Sequence, residues 1–418
     1  MEVLLEKAID GLNLDRSDWK LVKFGDVAIQ QKQTVDRENT DLTRYVKGEH
    51  MYSEDLHLRV WGELKDEYLG PAFIRKFEEG DILYGSRRTY LRKVVIAPFE
   101  GITSNTTFVM KANEEKIDKR LLPFIMLSEA FSQHSIKNSK GSVNPYVNWK
   151  DLSKYEFLLP KLNQQKQIVD LLITMDETLQ SDIKVKEGCL TYEKCEEKET
   201  FLSHSSEGAI HSPLGLIKSS WRCLTLEQLI DKNFVLSHLD GNHGSFYPAN
   251  NEFVQEGVPY ISANCIDDDK ISFIKAKYLT KQRASVFKKG VAINGDILLA
   301  HNATVGPVCI LETELPKVIL STTLTYYRVN PEKVYRDYLF HFMKSRLFQS
   351  QLERVMNQST RNQVPITTQR KLFFLIPPLL EQQKAIIRLK EYVQLRKFAD
   401  IKQIQTKKLQ KSIINQVF

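Results

Sequence analysis

Residues Leu158–Leu172 read LLPKLNQQKQIVDLL, and residues Leu375–Leu389 read LIPPLLEQQKAIIRL. Each stretch opens on an apolar strand end and turns on proline: Pro160 in the first copy, Pro377 and Pro378 in the second. Proline fixes φ and lacks a donor, so it closes a strand and suits the first turn of a helix. Gln-Gln-Lys then leads into apolar residues at helical spacing. The copies lie 217 residues apart, and everything between them reads as one domain plus one long helix, given twice.

The repeat extends upstream. At the same offset Phe131 aligns with Phe348, Ile125 with Phe342, Asn113 with Asn330 and Ser104 with Ser321. The string GDIL occurs as Gly80–Leu83 and Gly295–Leu298, at offset 215, and Asp18-Trp19-Lys20 aligns with Ser220-Trp221-Arg222, at offset 202. The drift places insertions in loops, which surfaces tolerate. A period this long is a duplicated domain and not a solenoid.

Composition agrees with two domains and connectors. The chain has 418 residues, 42% hydrophobic and 27% charged, beyond what one ordinary core organises. No apolar run reaches the ~18–20 residues that span a bilayer. The opening MEVLLEKAID mixes acids with apolar residues and does not read as a signal peptide. Five scattered cysteines without a C-x-x-C read as reduced thiols of a cytoplasmic protein. A net charge of +7 is compatible with a polyanionic partner.

In chain order, residues 1–18 read as a short amphipathic helix. From Trp19 to about residue 116 short β-like runs alternate with turns: Phe73–Ile74, Ile82–Tyr84, Val94–Ile96 and Thr106–Met110. A single helix is expected at Asp118–Ser135, then a polar loop at Asn138–Asn148 and a strand at Tyr155–Leu159. The second half repeats this plan, with a helix at Tyr335–Leu352, a polar loop at Asn357–Gln363 and a strand at Lys371–Ile376. Two long helices are expected, the first from near Gln164 and the second from near Glu381. The first carries Ile168, Leu172, Met175 and Leu179 as a coiled-coil seam. Candidate partners for that seam are Val393, Ile404, Ile413 and Val417. Residues 166–199 hold nine acids and five bases, whereas 384–411 hold nine bases and two acids. Opposite charge favours pairing of the two helices with each other.

The sequence contains no phosphate loop, dinucleotide fingerprint, nucleophile elbow or H-E-x-x-H, so it reads as built to bind. Asn144-Pro145-Tyr146 is superficially like a methyltransferase Asn-Pro-Pro-Tyr, but one proline is missing and no nucleotide-binding unit precedes it. Candidate binding loops follow GDIL. In the first repeat YGSRRTYLRK packs Arg87, Arg88, Tyr90, Arg92 and Lys93 together. Arg87 or Arg88 is expected to meet a base, and Arg92 and Lys93 phosphate. The aligned AHNATVG offers His301, Asn302 and Thr304 for base edges, with Lys270–Lys289 as a further basic stretch. A second pair of loops precedes each proline stretch: Ser142, Asn144 and Tyr146 in one, Arg361, Asn362 and Gln363 in the other.

The order Trp, GDIL with a polar or basic loop, Ser-Thr strand, helix, polar loop and L-P-x-L-x-Q-Q-K-x-I, given twice, resembles the specificity subunit of type I restriction–modification systems. The resemblance covers nearly the whole chain. It implies an α+β fold: two similar target-recognition domains separated by two long helices pairing as an antiparallel coiled coil. The corresponding bounds are 1–160 and 206–376 for the domains, and 161–205 and 377–418 for the helical spacers. It further implies that each domain reads one half of a bipartite site in double-stranded DNA. The subunit would be non-catalytic, without a cofactor of its own. It would recruit two methyltransferase (modification) subunits and restriction (translocase/nuclease) subunits, where S-adenosylmethionine, ATP and magnesium act. Because the two loop sets differ, the site should be asymmetric. About 35 helical residues span roughly 50 Å, or on the order of fifteen base pairs as an upper bound on spacing. One departure is that Glu381-Gln382-Gln383 has Glu where Asn163-Gln164-Gln165 has Asn, which weakens the first helix cap. Competing readings are the specificity module of another methyltransferase-based defence system, a DNA methyltransferase, and a scaffold holding two proteins.

Overall fold

The computed structural model describes residues 15–36, 39–202, 208–242, 247–267, 269–357 and 362–418. The helix expected over residues 1–18 lies almost wholly outside them. The chain packs as two compact units: residues up to Val185 together with Phe398–Phe418, and Lys186–Lys397. Each long helix therefore contributes one part to each unit, a different division from spacers standing apart from the domains.

In the first unit a four-stranded antiparallel sheet has the order Ala28–Gln31, Thr107–Ala112, Ile82–Gly85, Val94–Ile96. A second four-stranded sheet has the order Gly62–Glu63, Arg44–Val46, Gly101–Ser104, Phe73–Phe77. The strand after Trp19, Lys20–Lys23, pairs antiparallel with the pre-proline strand Glu156–Leu159, so the domain closes where its long helix begins. The second unit repeats the scheme. Its four-stranded sheet runs Val235–Asp240, Leu324–Val329, Ile297–Asn302, Thr304–Ile310, and Arg222–Thr225 closes against Phe373–Ile376.

The recurrent motifs are structural joints. Gly80 and Gly295 adopt φ of 84° and 90°, the left-handed region that suits glycine. In each following aspartate, Oδ2 accepts a turn amide three residues back: Glu78 N–H to Asp81 and Ile293 N–H to Asp296, both at 2.8 Å. GDIL is thus the entry to the central strand of each sheet.

The Gln-Gln-Lys stretch locks each long helix to its domain. Gln165 is 1% exposed; its oxygen accepts the Asp118 amide at 2.8 Å, and its Nε2 donates to Pro160 O at 2.9 Å and Lys116 O at 3.4 Å. Gln382, 0% exposed, takes the aligned partners Tyr335, Pro377 and Lys333 at 2.8, 2.8 and 3.1 Å. Trp19 Nε1 donates to Gln164 Oε1, and Trp221 Nε1 to Glu381 Oε2. Gln164, not Asn163, is therefore the counterpart of Glu381. The difference between the copies is a change of tryptophan partner and not a weakened cap.

The single helices expected before each polar loop are each two helices: Leu122–Met126 with Glu129–Lys137, and Arg336–Lys344 with Arg346–Asn357. The aligned serines Ser128 and Ser345 break them, because each hydroxyl accepts the amide three residues on, from Phe131 and Phe348. The long helices run Leu162–Phe201 and Leu379–Val417. Within the first unit, Ile168, Leu172 and Met175 share one core with Ile413, Ile414 and Val417. Ile404 is 57% exposed, so it is not a seam residue. The first long helix places Val393's expected partners in the other unit, and the seam there is filled instead by Phe201, Ile386 and Leu389.

Candidate nucleic-acid interface

The two loop regions singled out in each repeat meet. In the first unit Val147 N–H donates to Ser86 O at 2.9 Å and Arg88 N–H to Pro145 O at 2.6 Å, and Arg87 bridges Tyr146. In the second, Val364 N–H donates to His301 O at 2.8 Å and Ala303 N–H to Asn362 O at 2.9 Å, and Asn302 bridges Gln363. Arg88 and Ala303 hold the same left-handed backbone, with φ of 51° and 64°. A shared framework thus carries two unlike surfaces.

On the first, Arg87, Arg88, Tyr90, Ser142, Asn144 and Tyr146 are exposed. Arg88 Nε donates to Asn144 Oδ1 at 2.8 Å, and Thr89 Oγ1 and Ser139 Oγ lie 2.9 Å apart, so the loops brace each other. On the second, Thr304 and Asn362 are exposed, while Asn302 and Gln363 are partly so. Arg361 lies outside the described residues.

A family model for the type I restriction modification DNA specificity domain matches residues 16–186 and 242–407. The chain belongs to this family.

The specificity subunit of type I restriction enzyme MjaVIII from Methanocaldococcus jannaschii is 26% identical over 98% of this chain and 94% of its own length. The crystal structure of a type I restriction–modification S subunit from M. genitalium matches with a TM-score of 0.61 at 13% identity, over 97% of each chain. A chain from a study of type I restriction–modification assembly and conformational transition matches with a TM-score of 0.58 at 18% identity, over 96% of this chain and 97% of that one. These two show a shared fold. DNA recognition is accordingly the role of this specificity chain.

Two of the residues expected to touch DNA, Arg92 and His301, are drawn inward. Arg92 is drawn inward: it pairs with Glu54 at 3.1 Å and Glu129 at 2.7 Å, with only 16% of its side chain exposed. Lys411 also binds Glu54, at 2.6 Å. Burial alone would raise the Glu54 carboxyl, but the Lys411 and Arg92 cations hold it below the usual range. Arg92 is thus spent on an internal network and not on phosphate. Lys93 Nζ donates to Gly48 O at 2.5 Å; burial, then the nearby Arg88 charge, lowers its pKa. His301 is 1% exposed, and its Nδ1–H donates to Val364 O at 3.1 Å, so it frames the loop and cannot reach a base edge. In Lys270–Lys289 the pairs Lys275–Asp267 and Arg283–Glu252 close internally, while Lys281, Lys288 and Lys289 are exposed. Among the described residues no group of three His, Cys, Asp or Glu is placed to hold a metal ion.

Exchanging Arg87 and Arg88 together for alanine should weaken DNA binding and lower the slope of log affinity against log salt by about one for each phosphate no longer neutralised. If either side chain reads a base, discrimination at one position of one half-site also falls by ~1–3 kcal/mol. A salt titration of the assembled complex checks this. Unchanged affinity, slope and site preference would remove the loop from the interface.

Proposed function

We propose that this chain is the non-catalytic specificity subunit of a type I restriction–modification complex in the cytoplasm, with each domain reading one half of a bipartite, asymmetric site in double-stranded DNA. The observation that carries the reading is the equivalent hydrogen-bonded loop pair in both repeats, bearing Arg87, Arg88 and Tyr90 in one and Asn302, Thr304 and Asn362 in the other. One framework with two side-chain sets fits two half-sites of different sequence.

In this reading the long helices pair antiparallel and set the spacing between half-sites. Contacts inside each unit support the pairing. In the first, Gln410 Nε2 donates to Leu172 O at 3.2 Å and Lys402 binds Asp182 at 3.0 Å. In the second, the rings of Tyr192 and Tyr392 stack with centroids 5.8 Å apart. The partners are two methyltransferase subunits, which supply S-adenosylmethionine chemistry, and restriction subunits, which use ATP and magnesium. Leu380, Ile387 and Leu395 of the second long helix are each more than half exposed and share one helical face, as a docking stripe for a methyltransferase subunit would. No described helix is long and apolar enough to cross a membrane.

Methylation-sensitive sequencing of DNA from cells that express this chain with its methyltransferase partner tests the reading. One gapped motif with two unlike halves is expected. A continuous motif, or methylation independent of this chain, would overturn it.

A further inference from the structure

Beneath the second recognition surface lies a buried polar hub. Gln369 is 0% exposed, and its Oε1 accepts three donors: Tyr327 Oη at 2.8 Å, Thr325 Oγ1 at 3.0 Å and His238 Nε2 at 3.1 Å. The amide is thereby oriented, and its Nε2 donates to Val364 O at 2.9 Å. The same carbonyl also accepts from His301 Nδ1, and Val364 N–H returns to His301 O. The hub therefore holds the backbone strip that brings Asn362 and Gln363 against Asn302 and Ala303.

Among the described residues the first domain has no such hub at the aligned positions. Matching strand registers align His238 with Gln30 and Tyr327 with Met110, and the aligned short helices place Leu152 where Gln369 stands. Thr325 likewise corresponds to Phe108, by the pairings Leu299–Thr325 and Tyr84–Phe108. The floor at those positions is largely apolar, and the loops are braced instead by Arg88–Asn144 at the surface and by Thr89–Ser139, where Thr89 is buried and Ser139 leads on to Ser135 and Tyr84. An apolar floor fills space without fixing direction, whereas a hydrogen-bonded amide is held at both its acceptor and its donor.

We propose that Gln369 is a positioning residue for the second recognition surface, which is set from beneath through Val364, whereas the first is set by side chains of its own loops. The inference rests on the reading that these paired loops face DNA.

The test uses the full chain, assembled with its methyltransferase partner, and Gln369→Met, which removes both ends of the amide. Two readouts are taken: methylation rates on duplexes carrying single mismatches in either half-site, and hydrogen exchange of peptides covering 300–305 and 362–366 in the full chain. Discrimination at the second half-site should fall about 10-fold or more, with the first half-site unchanged. Exchange in both peptides should rise at least about 10-fold while the strand Leu324–Val329 stays protected. The double variant Thr325→Val, Tyr327→Phe removes two of the three donors that orient the amide but keeps its link to Val364, and should move both readouts in the same direction by less than Gln369→Met does. If Gln369→Met does not fold, Gln369→Glu at pH 8–9 takes its place, since it keeps the acceptor and loses the donor.

Unchanged discrimination and exchange in a folded variant would overturn the proposal. So would equal losses at both half-sites, which mark general destabilisation. If the unaltered complex shows no discrimination on either half-site, the DNA reading itself fails, and the exchange data still decide whether Gln369 anchors the loops.

Discussion

Replacing Gln382 by alanine should destabilise the Lys186–Lys397 unit by about 2–4 kcal/mol, more than any surface substitution in it. The side chain is wholly buried and satisfies three backbone groups: the Tyr335 amide and the carbonyls of Lys333 and Pro377. Truncation leaves the buried Pro377 carbonyl without this partner, at about 1–3 kcal/mol, and the part-buried Tyr335 amide and Lys333 carbonyl at less each. Gln165→Ala should act likewise on the other unit but less strongly, because its bond to Lys116 O is long at 3.4 Å. Hydrogen exchange resolves the two units. Core amides of Leu324–Val329 should lose protection in Gln382→Ala and those of Thr107–Ala112 in Gln165→Ala. Loss confined to the mutated helix turn, with the sheets still protected, would contradict the role as a joint.

Acidification should loosen the second unit well before the first. Burial lowers the pKa of His238 to about 4, and burial with the Lys344 and Lys390 charges does the same to His341. Both are neutral in the folded state, whereas an unfolded histidine titrates near 6.5. The unfolded state therefore binds more protons between these values. The stabilisation is complete above about pH 6.5 and is lost as pH falls towards 4, by about 3 kcal/mol per histidine. In the first unit the signs oppose. The hydrogen bond that His57 donates to Asp176 raises the His57 pKa, which favours folding below its ordinary pKa, while burial lowers His50. Exchange rates corrected for intrinsic pH dependence, taken from pH 7 to 4.5, should show Leu324–Val329 opening first. His238→Gln, which installs the residue of the aligned Gln30, should remove about half of that sensitivity. Equal loosening of both units, or none, would rule the histidines out.

The duplication was legible because its markers do the same local work in both copies. Trp, Gly-Asp-Ile-Leu, the paired Ser residues and the aligned Gln165 and Gln382 each sit within a few residues of part of their bonding. The meeting of the two loop regions was legible only as parallel position, and the backbone bonds Val147 to Ser86 and Val364 to His301 supply the contact. What escaped depends on residues distant in the chain. The partners of Arg92 lie 38 and 37 residues away, so four clustered cations looked unbalanced when two acids faced one of them. Polarity of His301 gave no warning that a neighbouring carbonyl would take its ring. The helix pattern across Ser128 and Ser345 stayed apolar on both sides of the break, since the serines cap a new helix without interrupting the core. Ile404 matched the seam by residue type, but its position on the helix turns it outward.

The most direct measurement exchanges residues 20–157 for the corresponding segment of a relative with a different target and reads the methylated motif of the assembled complex by sequencing. One half of the motif should change while the other half and the gap stay as they were. A motif altered in both halves, or in neither, would contradict independent reading by two domains.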